Sequence, residues 1–136
     1  MDDYAILRLL GEGTFGRVYL ARHLASSDLV ALKVVRIKSV AQGMPKVLMR
    51  EIQALSNLSA ECDGLSRHVV RMRDHFASGS SVVMVLEFMR CDLLALVKSL
   101  AGAGESLGPR QAKRIVWMIL KGVQGVHQQR VMHRVS

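Results

Sequence analysis

The sequence predicts an α+β fold in which a five-stranded antiparallel sheet with one packed helix comes first and a helical part follows. Two observations carry this expectation. Residues 4–88 contain five short β-type segments separated by turn residues, and a single stretch of helical period interrupts them after the third. Beyond Phe88 the apolar period turns helical and stays so to the end of the chain. The expected division is therefore 1–89 for the sheet-bearing part and 90–136 for the beginning of a helical part that is incomplete in itself. Half of the residues are hydrophobic, so a packed core is expected rather than disorder.

Taken in order, Tyr4 to Leu10 reads as a strand running into glycines, and Arg17 to Arg22 as its hairpin partner. Ala25-Ser26-Ser27-Asp28 is turn chemistry, and Leu29 to Ile37 is a third, Val-rich strand. Pro45 opens a helix, because its fixed φ suits the first helical position. Leu48, Ile52 and Leu55 then recur on one helical face. Ser59 to Arg67 is a polar loop, and His68 to Phe76 and Val82 to Phe88 form two further strands about a Ser-Gly-Ser-Ser turn. Asp92 to Leu100 is a short helix. A second helix starts at Pro109, with Ala112, Ile115, Ile119, Val123 and Val126 expected toward a core. There is no internal repeat and no low-complexity segment.

At 136 residues the chain is one modest domain or one lobe of a larger one. The formal net charge of +8 comes mostly from arginine, but the basic residues are scattered, without runs or aromatic interleaving. No nucleic-acid partner is expected from that distribution. Cys62 and Cys91 lie far apart without metal-ligand spacing, which predicts free thiols and a reducing compartment. The acidic start lacks an apolar signal core and no apolar run is long enough to span a bilayer, so no membrane partner and a cytoplasmic or nuclear location are expected.

Gly11-Glu12-Gly13-Thr14-Phe15-Gly16-Arg17-Val18 has the spacing G-x-G-x-x-G-x-V. Glycines there let a backbone approach a phosphate and leave N–H donors unhindered. A dinucleotide fold would need a helix directly afterwards, and here a strand follows, which argues against that fold. Downstream, Val30-Ala31-Leu32-Lys33 places a lysine on an apolar strand, where an ammonium is costly without an anionic partner. A nucleotide phosphate would serve, and so would Glu51, which borders the apolar stripe of the helix. Singly, Lys33 reads as an exposed strand residue and Glu51 as a surface residue beside Arg50; together, after that glycine loop, they read as a pair. Glu87-Phe88-Met89 ends the last strand and offers main-chain groups that can read a purine edge. Asp92 can cap the short helix or accept a ribose hydroxyl, and the two roles are compatible. His133 reads as a packed histidine; Cys91 reads as a small inert side chain, with a reactive thiol beside the candidate site as the alternative.

On these residues the whole chain resembles the first half of a eukaryotic Ser/Thr protein kinase, with the glycine loop, Ala31 and Lys33, Glu51, the Glu87–Met89 segment and His133-Arg134 in the order of that family. The resemblance implies a kinase N-lobe with an αC-type helix followed by the first helices of the C-lobe. It implies ATP contacts by Leu10, Gly11, Glu12, Gly13, Thr14, Gly16, Val18, Ala31, Lys33, Glu87, Phe88, Met89 and Asp92, with Lys33 and Glu51 as the ion pair that orients phosphates. Within the family the chain is similar to the cyclin-dependent branch. Glu12 and Thr14 fit that branch's loop, and Pro45-Lys46-Val47-Leu48-Met49-Arg50-Glu51 stands in place of its cyclin-facing helix start, so the 45–58 helix is a candidate surface for a cyclin-like activator. The opening residues and the Met44-Pro45 helix start resemble the cell-cycle-related kinases.

Three departures shape the expectation. Phe15 replaces a regulatory tyrosine, which leaves Thr14 as the candidate phosphorylation site, and the cyclin-facing motif keeps only its Pro, Arg and Glu. Val135 stands where the family has its catalytic Asp, and neither a catalytic-loop Asn nor an Asp-Phe-Gly follows, so no metal ligand is expected in these residues. Phosphoryl transfer needs a carboxylate at the attacking hydroxyl and metal ions on the phosphates. The resemblance thus implies a chain truncated at the catalytic loop, binding ATP weakly and inactive alone; a short pseudokinase that binds nucleotide or a partner is the competing expectation.

Overall fold

A computed structural model describes residues 1–13, 16–37, 43–60 and 66–131. Five strands, β1 (Tyr4–Gly13), β2 (Gly16–His23), β3 (Leu29–Arg36), β4 (Met72–Ser78) and β5 (Ser81–Glu87), form one antiparallel sheet in the order β1-β2-β3-β5-β4. Three helices accompany them: α1 (Lys46–Ala60), α2 (Leu93–Gly102) and α3 (Pro109–Gln128). The architecture is the five-stranded sheet with helices after it that the sequence predicts. The chain divides into two compact units, Met1–Cys62 with Val70–Phe88, and Asp63–Val69 with Met89–Ser136.

In the first unit, period-two alternation assigns the faces of the sheet. Val30 and Leu32 of β3 join Ala21, Val83 and Val85 in one fully buried cluster. On the other face Met72, Val82 and Met84 pack against Leu48 and Ile52 of α1, with Leu55 partly buried beside them. The apolar stripe read from the sequence is thus the face that α1 buries, extended by Leu58. Truncating Leu32, which has no exposed surface, would cost about 2–5 kcal/mol. The sheet also curls strongly. β1 and β4 are its opposite edges, yet the Tyr4 ring stacks on Phe76, with centroids 5.9 Å apart and planes 10° from parallel. Burial, with Asp74 and Asp3 nearby, pushes the Tyr4 phenol above its ordinary value.

The edge strand β4 is shorter than the sequence suggested. Its expected first residue, His68, instead ends a 3-10 helix, Ser66–His68, which belongs to the second unit, and the strand starts only at Met72. There His68 meets the Trp117 ring edge-on at 5.4 Å, and the His68 carbonyl lies where a Cβ on Gly122 would come within 2.7 Å. This close approach explains a second correction. Gly122 and Gly125 are the buried residues of α3, with Ala112, Ile115 and Val126 half-buried, while Ile119 and Val123, expected inward, are exposed. Asp92 caps α2 by accepting the Ala95 N–H at 2.6 Å. Pro109 occupies the first turn of α3, and the Gln111 side chain accepts the Gly108 N–H at 3.0 Å. Among the described residues no helix is long and apolar enough to cross a membrane.

Candidate functional site

Strand register gathers the residues of interest. Gly11 pairs with Val18, Val18 with Lys33, and Lys33 with Met84, so one row crosses β1, β2, β3 and β5. Ala31 lies two residues from Lys33 and opposite Leu86, and therefore shares its face, the one that α1 covers in part. Ala31 is buried, and its small side chain keeps that stretch of the face shallow.

Lys33 Nζ donates to Glu51 Oε1 at 2.5 Å, joining β3 to α1. Their side chains retain 22% and 39% of their exposure, so water still reaches the pair and its net contribution is about 1 kcal/mol. Leu48 and Ile52, either side of Glu51, are anchored in the core, which fixes the turn of α1 that presents the carboxylate. One Glu51 oxygen receives the ammonium; two further ammonium protons remain available to an anion.

The glycine hairpin is closed from both sides. β1 and β2 remain paired to Gly13 opposite Gly16, and Arg17 Nε donates to Glu12 Oε1 at 3.0 Å across that end. Hydrogen bonding to Glu12, then to Tyr19, holds the Arg17 guanidinium above its ordinary value. Gly16 has φ +129°, and a Cβ there would meet the Val34 carbonyl oxygen at 2.1 Å. Gly11 and Gly13 face open space, and among the described residues nothing lies within 4 Å of where their Cβ atoms would be. Leu10 falls in a register irregularity between Leu9 and Gly11 and is exposed.

At the far end of β5, Glu87 is tied twice to Arg71, the residue before β4. The Glu87 N–H donates to the Arg71 carbonyl at 2.9 Å, and the Arg71 N–H donates to Glu87 Oε1 at 2.8 Å. Nearby, Arg73 Nη1 donates to Asp28 Oδ2 at 2.9 Å, and that bond, with a smaller one from Ser26, holds the Asp28 carboxyl below its ordinary value. A cavity of about 690 Å³ opens between this strand end and the last turns of α1, lined by residues that include Arg71, Arg73, Ser56 and Ser59.

The structure thus brings Gly11, Val18, Ala31, Lys33 and Glu51 together, and places Glu87 and Phe88 at the exit of β5. Met89, exposed, and Asp92, engaged as the α2 cap, belong to the second unit. Cys91 is an exposed free thiol. Thr14, Phe15, Cys62, His133, Arg134 and Val135 lie outside the described residues. Among the described residues no group of three or more His, Cys, Asp or Glu is gathered to hold a metal. Sequence reasoning missed Arg17 and Arg71. Arg17 was signalled by its pairing distance from Glu12 across a hairpin, whereas Arg71 acts through its main chain, which no side-chain pattern reveals.

Comparison with known proteins gives a consistent result. The family model described as "Protein kinase domain" matches residues 4–134. Cyclin-dependent kinase 20 of Rattus norvegicus is 37% identical over 134 residues, covering 98% of this chain and 36% of the relative. The protein of the same name from Danio rerio is 35% identical, with 98% and 37% covered, and that from Homo sapiens 35%, with 98% and 36%. The chain therefore spans a little over a third of the length of these relatives.

Proposed function

This chain belongs to the protein kinase family, and on that premise we propose that its 136 residues form the ATP-binding N-terminal part of a cyclin-dependent-type Ser/Thr kinase. The family uses ATP and Mg²⁺. The observation that carries the proposal for this chain is the ion pair of Lys33 with Glu51, set on the strand face that also bears Val18 and Ala31, beneath a hairpin whose Gly11 and Gly13 leave open room. A lysine so held presents its remaining donors to an anion without moving, which lowers the ordering cost of binding. Main-chain N–H groups of the glycine hairpin supply further donors.

The roles of Met89 and Asp92 rest on the family resemblance alone, as does Thr14 as a regulatory phosphorylation site. The exposed Val47 and Met49 on α1 suit a cyclin-type activator, since both stand away from the packed face. Replacing both Val47 and Met49 with aspartate should abolish activator binding in a cyclin pull-down and leave ATP binding intact; retained capture would remove that assignment.

The decisive experiment is calorimetric titration of the chain with ATP, alongside Lys33→Met. Weak binding is expected for the wild type and at least tenfold weaker binding for the variant. Equal affinity in both would refute the role of Lys33. Transfer of radiolabelled phosphate to protein substrates should stay at background, because Val135 offers no carboxylate to an attacking hydroxyl. Turnover abolished by Lys33→Met would contradict that expectation.

A further inference from the structure

We propose that one face of α3, built from Arg110, Lys113, Arg114, Trp117 and Lys121, is a docking surface for an acidic helical segment of a partner protein. It lies wholly in the second unit and goes beyond the nucleotide-binding reading.

The basic residues are scattered in sequence, but helical period gathers these four. With 3.6 residues per turn, the five side chains fall within about 100° of the circumference of α3 and span roughly 16 Å along its axis. Arg110, Lys113, Arg114 and Trp117 are exposed, and Lys121 is half-buried. α3 carries no Asp or Glu. Among the described residues three ion pairs form, and none involves this helix. The four cations are therefore uncompensated within their own element.

Folding gives no reason for this arrangement. Arg110 stands in the first turn, where the helix dipole favours carboxylates and disfavours cations. Lys113 and Arg114 follow it at i+3 and i+4, the spacings at which like charges repel. Helix stability alone favours Asp or Glu at such positions. A local arrangement that costs stability and buries nothing marks a functional surface. A ligand of opposite charge removes the repulsion and forms ion pairs as it binds.

Two features select the occupant. The Trp117 ring is already engaged: Lys121 Nζ sits over it at 5.9 Å from the centroid, and His68 meets it edge-on at 5.4 Å. A single nucleic-acid strand needs an open aromatic face on which to stack a base, and this ring does not offer one. It holds the Lys121 ammonium in place instead, together with Gln124 Oε1, which accepts from Nζ at 3.2 Å. The second feature is spacing. Three cations cluster in the first two turns and the fourth follows two turns later. Carboxylates repeating with helical period on a second helix meet all four, whereas a flexible acidic chain or a lipid surface presents charge without register.

Trp117 is the sole tryptophan and reports on this face directly. The test titrates the 136-residue chain, at low salt, with an alanine-based helical peptide whose glutamates repeat the spacing of the four cations, and follows Trp117 fluorescence. Saturable binding is expected, weakening as salt is raised. Arg110→Gln combined with Arg114→Gln should lower affinity about tenfold. The melting temperature of that variant should hold or rise, because the change relieves repulsion. Arg8→Gln combined with Arg22→Gln removes the same charge from exposed positions of the first unit and should leave affinity within about twofold. Equal weakening in the two double variants would assign the effect to net charge and overturn the inference. So would equal affinity for a peptide of the same composition with its glutamates scrambled, tighter binding to single-stranded DNA or to phosphatidylserine vesicles, or no binding of the peptide. A melting temperature that falls in the Arg110, Arg114 variant would show a structural role for the stripe and overturn it as well.

Discussion

The glycine loop permits a separation of folding from binding within a single motif. Gly16→Ala and Gly13→Ala make the same chemical change three residues apart, and the structure predicts opposite consequences. At Gly16 the backbone has φ +129°, where an L side chain costs about 1–3 kcal/mol. The added Cβ would also lie 2.1 Å from the Val34 carbonyl oxygen, on a strand already paired to β5 through Val83. Relieving that overlap means displacing β3, a further cost of about 1–3 kcal/mol. The sum is about 4 kcal/mol, a large share of the stability of a small domain. At Gly13 a Cβ meets nothing within 4 Å among the described residues, so the change should stay within about 0.5 kcal/mol. Urea unfolding followed by far-ultraviolet circular dichroism measures both. ATP titration of the Gly13→Ala chain should meanwhile show weakened binding, since the open room above the hairpin is what a phosphate would enter. Equal destabilisation by the two changes would refute the reasoning, and so would a Gly16→Ala chain within 1 kcal/mol of wild type.

Two other outcomes can be checked with the same material. Gly122→Ala gains about 1 kcal/mol of helix propensity but brings a Cβ within 2.7 Å of the His68 carbonyl, so a net loss of about 1–2 kcal/mol is expected, with a change in fluorescence of Trp117, the sole tryptophan, as His68 leaves its edge; an unchanged spectrum with a gain in stability would show that the contact is not made. Asp28 is held below its ordinary value by Arg73, so its contribution is complete above the usual carboxylate range and is lost as acidification passes through the lowered value. Arg73→Met should raise the Asp28 titration midpoint in a carboxyl NMR experiment and flatten the loss of stability at acid pH; an unmoved midpoint would discount the pair.

Much of the sheet and the first helix could be read from local pattern. The near-continuous apolar run of Leu29 to Ile37 reflects a strand covered on both faces, the stripe Leu48, Ile52, Leu55 reflects burial on one helical face, and burial is what local pattern records. The Lys33–Glu51 pair was legible for a different reason: a lysine on an apolar strand demands an anion, and few carboxylates stood near a packed face. What escaped depends on partners distant in sequence. His68 was read as strand because its own neighbours are β-formers, whereas in its 3-10 turn it meets Trp117 and Gly122, which lie far along the chain. The α3 stripe was misplaced by one helical step because the close contact is made by glycines, which carry no hydropathy signal. The Glu87 carboxylate at the Arg71 N–H was invisible because its partner is main chain.

The stacking of Tyr4 on Phe76 ties the order of synthesis to the order of folding. These rings come from the first and fourth strands of the chain but close the two margins of one curled sheet. The sheet's central neighbour, β5, is the last strand to be made, and β3 has no second partner until it arrives. A nascent chain ending before Ser81 therefore holds four strands, with β3 unpaired along one side and β4 without its partner, and the loop between Tyr4 and Phe76 must be closed against its entropy before the rings meet. Such a topology folds late and as a unit, with slow kinetics set by long-range pairing rather than by local helix formation. β1, the first of the five strands to be made, then waits for its stacking partner on β4.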